Sequence, residues 1–273
     1  PRSLTAWLAL ISRKMLRKRT IVWGHILPRR GENAATAPLR RFMRRLADGV
    51  ISYTWSDAER VRSDDPTEKV WVAANGLYPE SELKWSARSE RWRLLQVGRV
   101  VPPKKPLLSL EAFAIALPRL PHRAHLTYVG EGSELGSLAA RANDLGVRDR
   151  VSFMGKVVGA ENLARLYEET LVSLSPGYAG LSLTQSLGFG VPMIVADDEP
   201  HAPEIELFSE LTGVSFQSDD PQDMAAKMVD IFASRHAWDH ALIVQSVRDT
   251  YSSSAMAAGF ELALLGSPQE RVS

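Results

Sequence analysis

The sequence predicts an α/β protein built on doubly wound parallel sheets. Short strand-like apolar runs alternate with helical patterns from about residue 92 onward. Leu171–Leu174 is nearly all apolar, as a parallel strand covered on both faces must be. Glycine-bearing turns follow the strands and lead into helices, the places where such sheets bind ligands. Composition narrows the classes further: 45% hydrophobic and 24% charged residues exclude a disordered, collagen-like or coiled-coil chain. The absence of cysteine excludes a disulfide scaffold, a zinc ribbon and a thiol nucleophile, and it fits a reducing compartment. The longest apolar run, Leu187–Ala196, is far below the roughly 18 residues of a membrane-spanning helix, and the first residues do not follow a secretory signal.

The net charge of +1 conceals a strongly polar chain. Residues 1–45 carry twelve Lys or Arg and a single acid, Glu32, while the other 228 residues carry 21 bases against 31 acids. Within that basic segment Leu4, Trp7, Leu8, Ile11 and Met15 recur at helical spacing, with Arg13, Lys14, Arg17 and Lys18 towards the end. Two interpretations stand: a basic helix lying on an anionic membrane, or a helix packed by Leu4 and Trp7 onto a sheet. Thr20–Trp23, which reads as a short buried strand, favours the second. A helix near Leu39–Leu46 follows, then strands Gly49–Tyr53 and Val70–Ala74, the latter ending at the turn Asn75–Gly76. Three strands before residue 80 fall short of the five or six of a full doubly wound domain, so residues 1–80 are expected to form a partial one.

Residues 79–91 are polar and aperiodic, and 81–91 are predicted as a linker. Beyond it come strand candidates Trp92–Val97, His125–Val129, Val151–Met154, Leu171–Leu174 and Pro192–Ala196. The helices between them are Leu107–Leu117, a segment with Ser133 as N-cap and Gly146 as stop, Glu161–Tyr167 and Gly180–Phe189. A ligand-binding domain over 92–250 and a closing helix over 251–273, returning to the first domain, complete the expected organisation.

Three strand-to-helix turns are candidate sites. Gly98 lets the backbone turn after a strand, and Arg99 and Lys104 bring two cations suited to a diphosphate. Gly130–Gly136 follows the next strand, but its glycine spacing is one residue longer than the dinucleotide fingerprint, so it does not argue for NAD. Ser175–Pro192 runs from a buried strand through a glycine loop into a helix whose first turn holds Ser182. Free N–H groups there, with the Ser182 hydroxyl, would cradle an anion, and Gln185 one turn on would suit a ribose.

Gly98-Arg99…Lys104, Leu110–Phe113, Val129–Gly132, Asp149–Gly155, Gly180–Ser182, Gly188–Pro192 and Pro203–Ile205 resemble, in order and spacing, the family 4 glycosyltransferases of the GT-B fold. The likeness covers about residues 92–266 and continues upstream in Gly24-His25, Ala47–Val50 and Asn75-Gly76. It implies two Rossmann-like domains, the N-terminal one incomplete, and transfer of a hexosyl unit from a UDP- or GDP-linked donor to a saccharide or lipid-linked glycan. It further implies retention of configuration by front-face attack, with no metal or other cofactor. On this resemblance Arg99 and Lys104 neutralise the diphosphate, the Met154–Val157 segment contacts the base through its backbone, Leu181 and Ser182 cap the phosphates, and Gly98, Gly155 and Gly180 belong to the same substrate-binding loops. His25 would face the donor sugar.

The chain departs from the family at two points. The family's paired glutamates, with seven residues between them, fall at Gly177 and Gln185, so one carboxylate is absent and the other has become an amide. Glu204 is the nearest replacement carboxylate; a plain helix-start charge is the alternative role for it. The chain also begins part-way through the family's N-terminal domain and is expected to be a fragment, for which nucleotide binding without transfer is an alternative function. A basic module for membranes or nucleic acid is the other alternative; the segment lacks the interleaved aromatics of a single-strand binder, so no nucleic acid is expected. A nucleotide-sugar epimerase would need acid–base residues that the sequence does not place. The expected location is cytoplasmic, peripheral on the inner face of the membrane through residues 1–45.

Overall fold

The computed structural model describes residues 3–27, 35–87, 90–234 and 238–271. Arg2, Arg29, Arg30 and Glu32 of the basic segment lie outside the described residues, as do Arg88 and Ser89 of the predicted linker. The chain divides into two compact units, Pro1–Gly76 with Asp249–Ser273, and Leu77–Arg248.

The first unit opens with α1 (Leu4–Met15), whose N-terminus is capped by the Ser3 side chain accepting from the Ala6 N–H. It continues through β1 (Ile21–Trp23), α2 (Ala37–Leu46), β2 (Gly49–Ser52), α3 (Trp55–Asp64) and β3 (Val70–Val72). The strands form a parallel sheet in the order β1-β2-β3, with Ile21 opposite Gly49 and Val50 opposite Val70. Only β2 and β3 are fully buried. β1 pairs on one side only, and Trp23 is 46% exposed, so the buried strand expected at Thr20–Trp23 is a half-open edge. Nor does Leu4 pack α1 onto the sheet, since it is 78% exposed. Leu10 is the buried residue of α1, and Trp7 stacks on Phe42 of α2 with centroids 5.9 Å apart. Helix α3 has no counterpart in the sequence reading. Thr54 caps it, and its buried residues Trp55, Ala58 and Val61 are interrupted by charges that blur the apolar stripe.

The second unit is a six-stranded parallel sheet. Its elements in order are β4 (Arg93–Val97), α4 (Pro106–Ala116), β5 (His125–Val129), α5 (Leu135–Asp144), β6 (Val151–Phe153), α6 (Ala160–Glu168), β7 (Thr170–Ser175), α7 (Leu181–Gly188), β8 (Met193–Ala196), β9 (Gly213–Phe216), α8 (Pro221–Ala233) and α9 (His240–Tyr251). α9 extends past the boundary at Arg248. Strand order is β6-β5-β4-β7-β8-β9, all parallel, so the winding reverses between β4 and β7. Leu94, Leu110, Leu126 and Leu138 are wholly buried in one core, each contributing roughly 1.5–3 kcal/mol. Ser133 is not an N-cap: α5 starts two residues later at Leu135, Glu134 is in the cap position, and no side chain caps the end. β9 and α8 were not anticipated, although Asp220 caps α8 and Pro221 opens it. The stretch predicted as linker lies in this unit. There Leu83 is buried, and the Arg91 guanidinium donates to the carbonyls of Ser86, Tyr167 and Thr170.

In the first unit α10 (Ser253–Leu265) runs from its Ser252 cap to Gly266 in the left-handed region. Met256, Phe260 and Ala263 pack on Ile51, Trp71 and Ala73. The helix approaches β3 closely enough that a Cβ at Gly259 would stand 2.0 Å from the Val72 carbonyl oxygen. No described helix is long and apolar enough to cross a membrane.

Candidate functional site

Ligands of doubly wound sheets bind beyond the carboxyl ends of the strands where the winding reverses. A cleft opens at that point of the second unit, lined by Gln96, Gly98, Arg99, Lys104, Ser175 and Ser182 among others. The turn after β4 supplies most of it. Gly98 has φ +141°, and its N–H donates to the Val129 carbonyl. Next to it Gly130, φ +140°, lies against that turn so closely that a Cβ would stand 1.8 Å from the Gly98 oxygen. The loop after β5 is thus a backbone platform for the loop after β4. This is a steric use of glycine at the near-dinucleotide pattern.

Lys104 is fixed from two sides. Its carbonyl accepts from Gln96 Nε2 (3.1 Å), whose Oε1 accepts from Ser109, and Ser109 meets the buried Tyr128 hydroxyl at 3.0 Å. Its ammonium donates to the Tyr178 carbonyl (2.5 Å) and stands 4.6 Å from the Tyr178 ring centroid. Burial, followed by the Arg99 charge, holds the Lys104 pKa below its ordinary value, while Glu204 pulls the other way. Two like charges held near each other favour an anion arriving between them. Arg99 is exposed at the cleft mouth. Helix α7 begins at Leu181 with Gly180 as N-cap and no side-chain cap; the Leu183 N–H donates to the Gly180 carbonyl (2.8 Å), so the N–H groups of Leu181 and Ser182 are the ones at the helix start that the cap does not engage.

The expected residues separate into groups. Gly98, Arg99, Lys104 and Ser182 line the cleft together. Gly177 packs against the turn after β4, where a Cβ would meet the Pro103 carbonyl oxygen at 2.3 Å. Gly180 begins α7 and Leu181 is 43% exposed. Met154, 47% exposed, and Gly155 follow β6, two strands away, where Gly155 accepts from the Gly130 N–H (2.7 Å). Gln185 is engaged elsewhere: Nε2 donates to the Tyr78 hydroxyl (2.7 Å) and Oε1 accepts from the Tyr167 hydroxyl (3.3 Å). Glu204 sits in the first turn of a short 3-10 helix, Pro203–Leu207, as the helix-start alternative has it, and its carboxylate is buried at 2% exposure. One of its oxygens is 4.0 Å from where a Gly180 Cβ would be. His25 belongs to the first unit, in a recess with Trp23, Arg40 and Met43, where Arg40 donates to its carbonyl (2.7 Å).

Sequence reading missed His201. Its Nδ1 accepts from the Ala179 N–H (3.0 Å), so Nε2 carries the proton and donates to the Ala196 carbonyl (2.9 Å). The loop holding Tyr178 is thereby pinned to the end of β8. Lys105, left-handed at φ +45°, ties the turn after β4 to Glu199 and to Asp219 (2.6 Å), itself at φ +64°. Gln96, a polar residue near the end of an apolar strand, was a legible signal; His201 was not. Among the described residues no three His, Asp or Glu side chains converge as metal ligands.

Structures of glycosyltransferases share this architecture. The lipopolysaccharide outer core galactosyltransferase WaaB superposes with a TM-score of 0.71 at 16% identity, over 96% of this chain and 73% of that one. Anabaena HepE in complex with UDP gives 0.70 at 16% identity, over 96% and 76%. MJ1607 of Methanocaldococcus jannaschii, named an uncharacterized glycosyltransferase, is 28% identical over 167 residues, 54% of this chain; the match spans 42% of that relative's length. The glycosyl transferases group 1 profile matches residues 79–242, more than half of the chain and within the second unit. The fold is therefore the α/β GT-B class, and the chain belongs to the glycosyl transferases group 1 family.

Proposed function

We propose that the chain is the donor-binding part of a glycosyltransferase that moves a hexosyl unit from a nucleotide-sugar to a saccharide or lipid-linked glycan. The observation that carries this is the cleft at the winding reversal, where Arg99 and Lys104 stand opposite the uncapped start of α7. Two cations and free N–H groups suit a diphosphate and the charge that develops on it as the glycosidic bond breaks. The family profile and the UDP complex of HepE support the same chemistry. In this reading the acceptor hydroxyl attacks the anomeric carbon on the face that the diphosphate leaves. The carbon–phosphate oxygen bond breaks, and the hydroxyl proton passes to the departing phosphate oxygen. Configuration is retained without a protein nucleophile, in keeping with a Gly at position 177. Glu204 would orient the sugar from behind Gly180. Gly155 and Met154 would receive the base.

Arg99→Ala and Lys104→Ala should each weaken UDP or GDP binding by about 1–3 kcal/mol, or roughly 5–150-fold in Kd. Isothermal titration with both nucleotides measures it. Wild-type affinity in both variants would remove the assignment.

A further inference from the structure

Two consecutive lysines in the turn after β4 reach in different directions. Lys104 lines the donor cleft and donates to the Tyr178 carbonyl, in the loop of the neighbouring strand β7. Lys105 lies outside the cleft lining and reaches further along the sheet. Its ammonium pairs with Glu199 after β8 and Asp219 after β9 (2.6 Å), two and three strands from β4. Glu199 is only 12% exposed, so this is not a freely solvated surface pair.

The backbone at Lys105 is left-handed, φ +45° and ψ +48°, a conformation that a residue with a Cβ enters at a cost. Pro106 follows and opposes the right-handed alternative, so α4 cannot extend backwards to relieve the turn. Such a conformation persists only where its surroundings hold it. Here the holders are themselves fixed. The Ser218 N–H donates to Asp197 (2.9 Å) beside Asp219, and the next residue, Asp220, caps α8. From Glu199 a circuit of hydrogen bonds returns to the cleft. The His201 N–H donates to the Glu199 carbonyl (2.7 Å), and the Ala202 N–H to the Ala179 carbonyl (2.8 Å). Tyr178, next to Ala179, donates its N–H to the Pro103 carbonyl (3.3 Å) and accepts the Lys104 ammonium (2.5 Å).

We infer that Lys105 is a positioning residue for the donor diphosphate: its clasp on Glu199 and Asp219 holds the turn after β4 so that Lys104 faces the cleft. Its own charge is not what the ligand meets. One base against two acids leaves the clasp negative, so an effect of Lys105 on anion binding must pass through the geometry of Lys104. This inference rests on the donor-site reading given above, and its test separates the two.

The test is isothermal titration of the chain with UDP and GDP. Lys105→Gly removes the clasp and the backbone strain together and should raise the Kd about tenfold, while Lys105→Arg, which can still reach both carboxylates, should stay within about threefold of the wild type. In a Lys104→Ala background Lys105→Gly should add less than about twofold, because the group it positions is gone. Glu199→Gln/Asp219→Asn tests the sign. Removing two negative charges would by itself tighten binding of an anion, whereas loss of the clasp should weaken it about fivefold. Gly and Asn both tolerate the left-handed backbone, so circular dichroism should show wild-type folding. Wild-type affinity in Lys105→Gly, losses that simply add to that of Lys104→Ala, or equal or tighter binding by Glu199→Gln/Asp219→Asn overturns the positioning role and leaves the donor site standing. Wild-type affinity in Lys104→Ala removes the donor site and this role with it.

Discussion

A methyl group added at Gly177 has nowhere to go. It would stand 2.3 Å from the Pro103 carbonyl oxygen and 3.1 Å from the Cα and carbonyl carbon of Lys104. All three are backbone atoms, so no side chain can swing aside, and Gly177→Ala must part the turn after β4 from the loop after β7 by about an ångström. Such overpacking costs about 1–3 kcal/mol, which at about 2–4 °C per kcal/mol lowers the Tm by roughly 2–12 °C. The same displacement moves Lys104, whose ammonium is held by the Tyr178 carbonyl and ring. A shift of this size in a charge-binding group costs up to about a hundredfold in nucleoside-diphosphate affinity. Gly177→Glu, which restores the carboxylate usual in the family, should lose at least as much rather than gain activity. Gly136→Ala is the control: its Cβ meets nothing within 4 Å inside α5, so it should gain about 0.5–1 kcal/mol. Thermal melting paired with calorimetric titration of UDP and GDP reads both effects. Wild-type melting and binding by Gly177→Ala would refute the steric account.

His201→Phe keeps the ring volume but loses both hydrogen bonds, leaving the buried Ala179 N–H unpaired at a cost of about 1–3 kcal/mol. Nucleotide binding should weaken several-fold, and His201→Asn, which retains an acceptor for Ala179, should recover part of it in the same titration. Acid should also destabilise the second unit. Burial holds His240 below its ordinary pKa of 6.5 against the opposing Gly190 carbonyl, and burial followed by Arg93 and Arg150 does the same to His125. The unfolded chain binds these protons first, so the stability is complete above pH 6.5 and is lost as pH falls through the depressed folded values. Melting between about pH 7.5 and 5 should show the decline, and His240→Gln with His125→Gln should flatten it; an unchanged slope would count against this cause.

The sequence was most informative where physical signals are local. Buried parallel strands read as apolar runs, so β4 to β8 were anticipated to within two residues at either end. A strand, a glycine turn and a helix start in succession pointed to Gly98, Arg99, Lys104 and Ser182, which line one cleft. The missed elements had diluted signals: β9 is a four-residue strand whose centre is partly exposed, and charges break up the apolar stripe of α3.

Sequence alone determined the alternation of strands and helices, the family pattern and the position of the glycine at 177. Only the tertiary structure decided what that glycine is for, because the oxygen filling its side-chain space belongs to Pro103 on another strand's loop. It likewise decided that Gln185 serves Tyr78 and Tyr167, that Glu204 is buried behind Gly180, and that His201 pins the loop of Tyr178. Periodicity reports which face a residue turns inward; it carries no record of which distant backbone atom waits there.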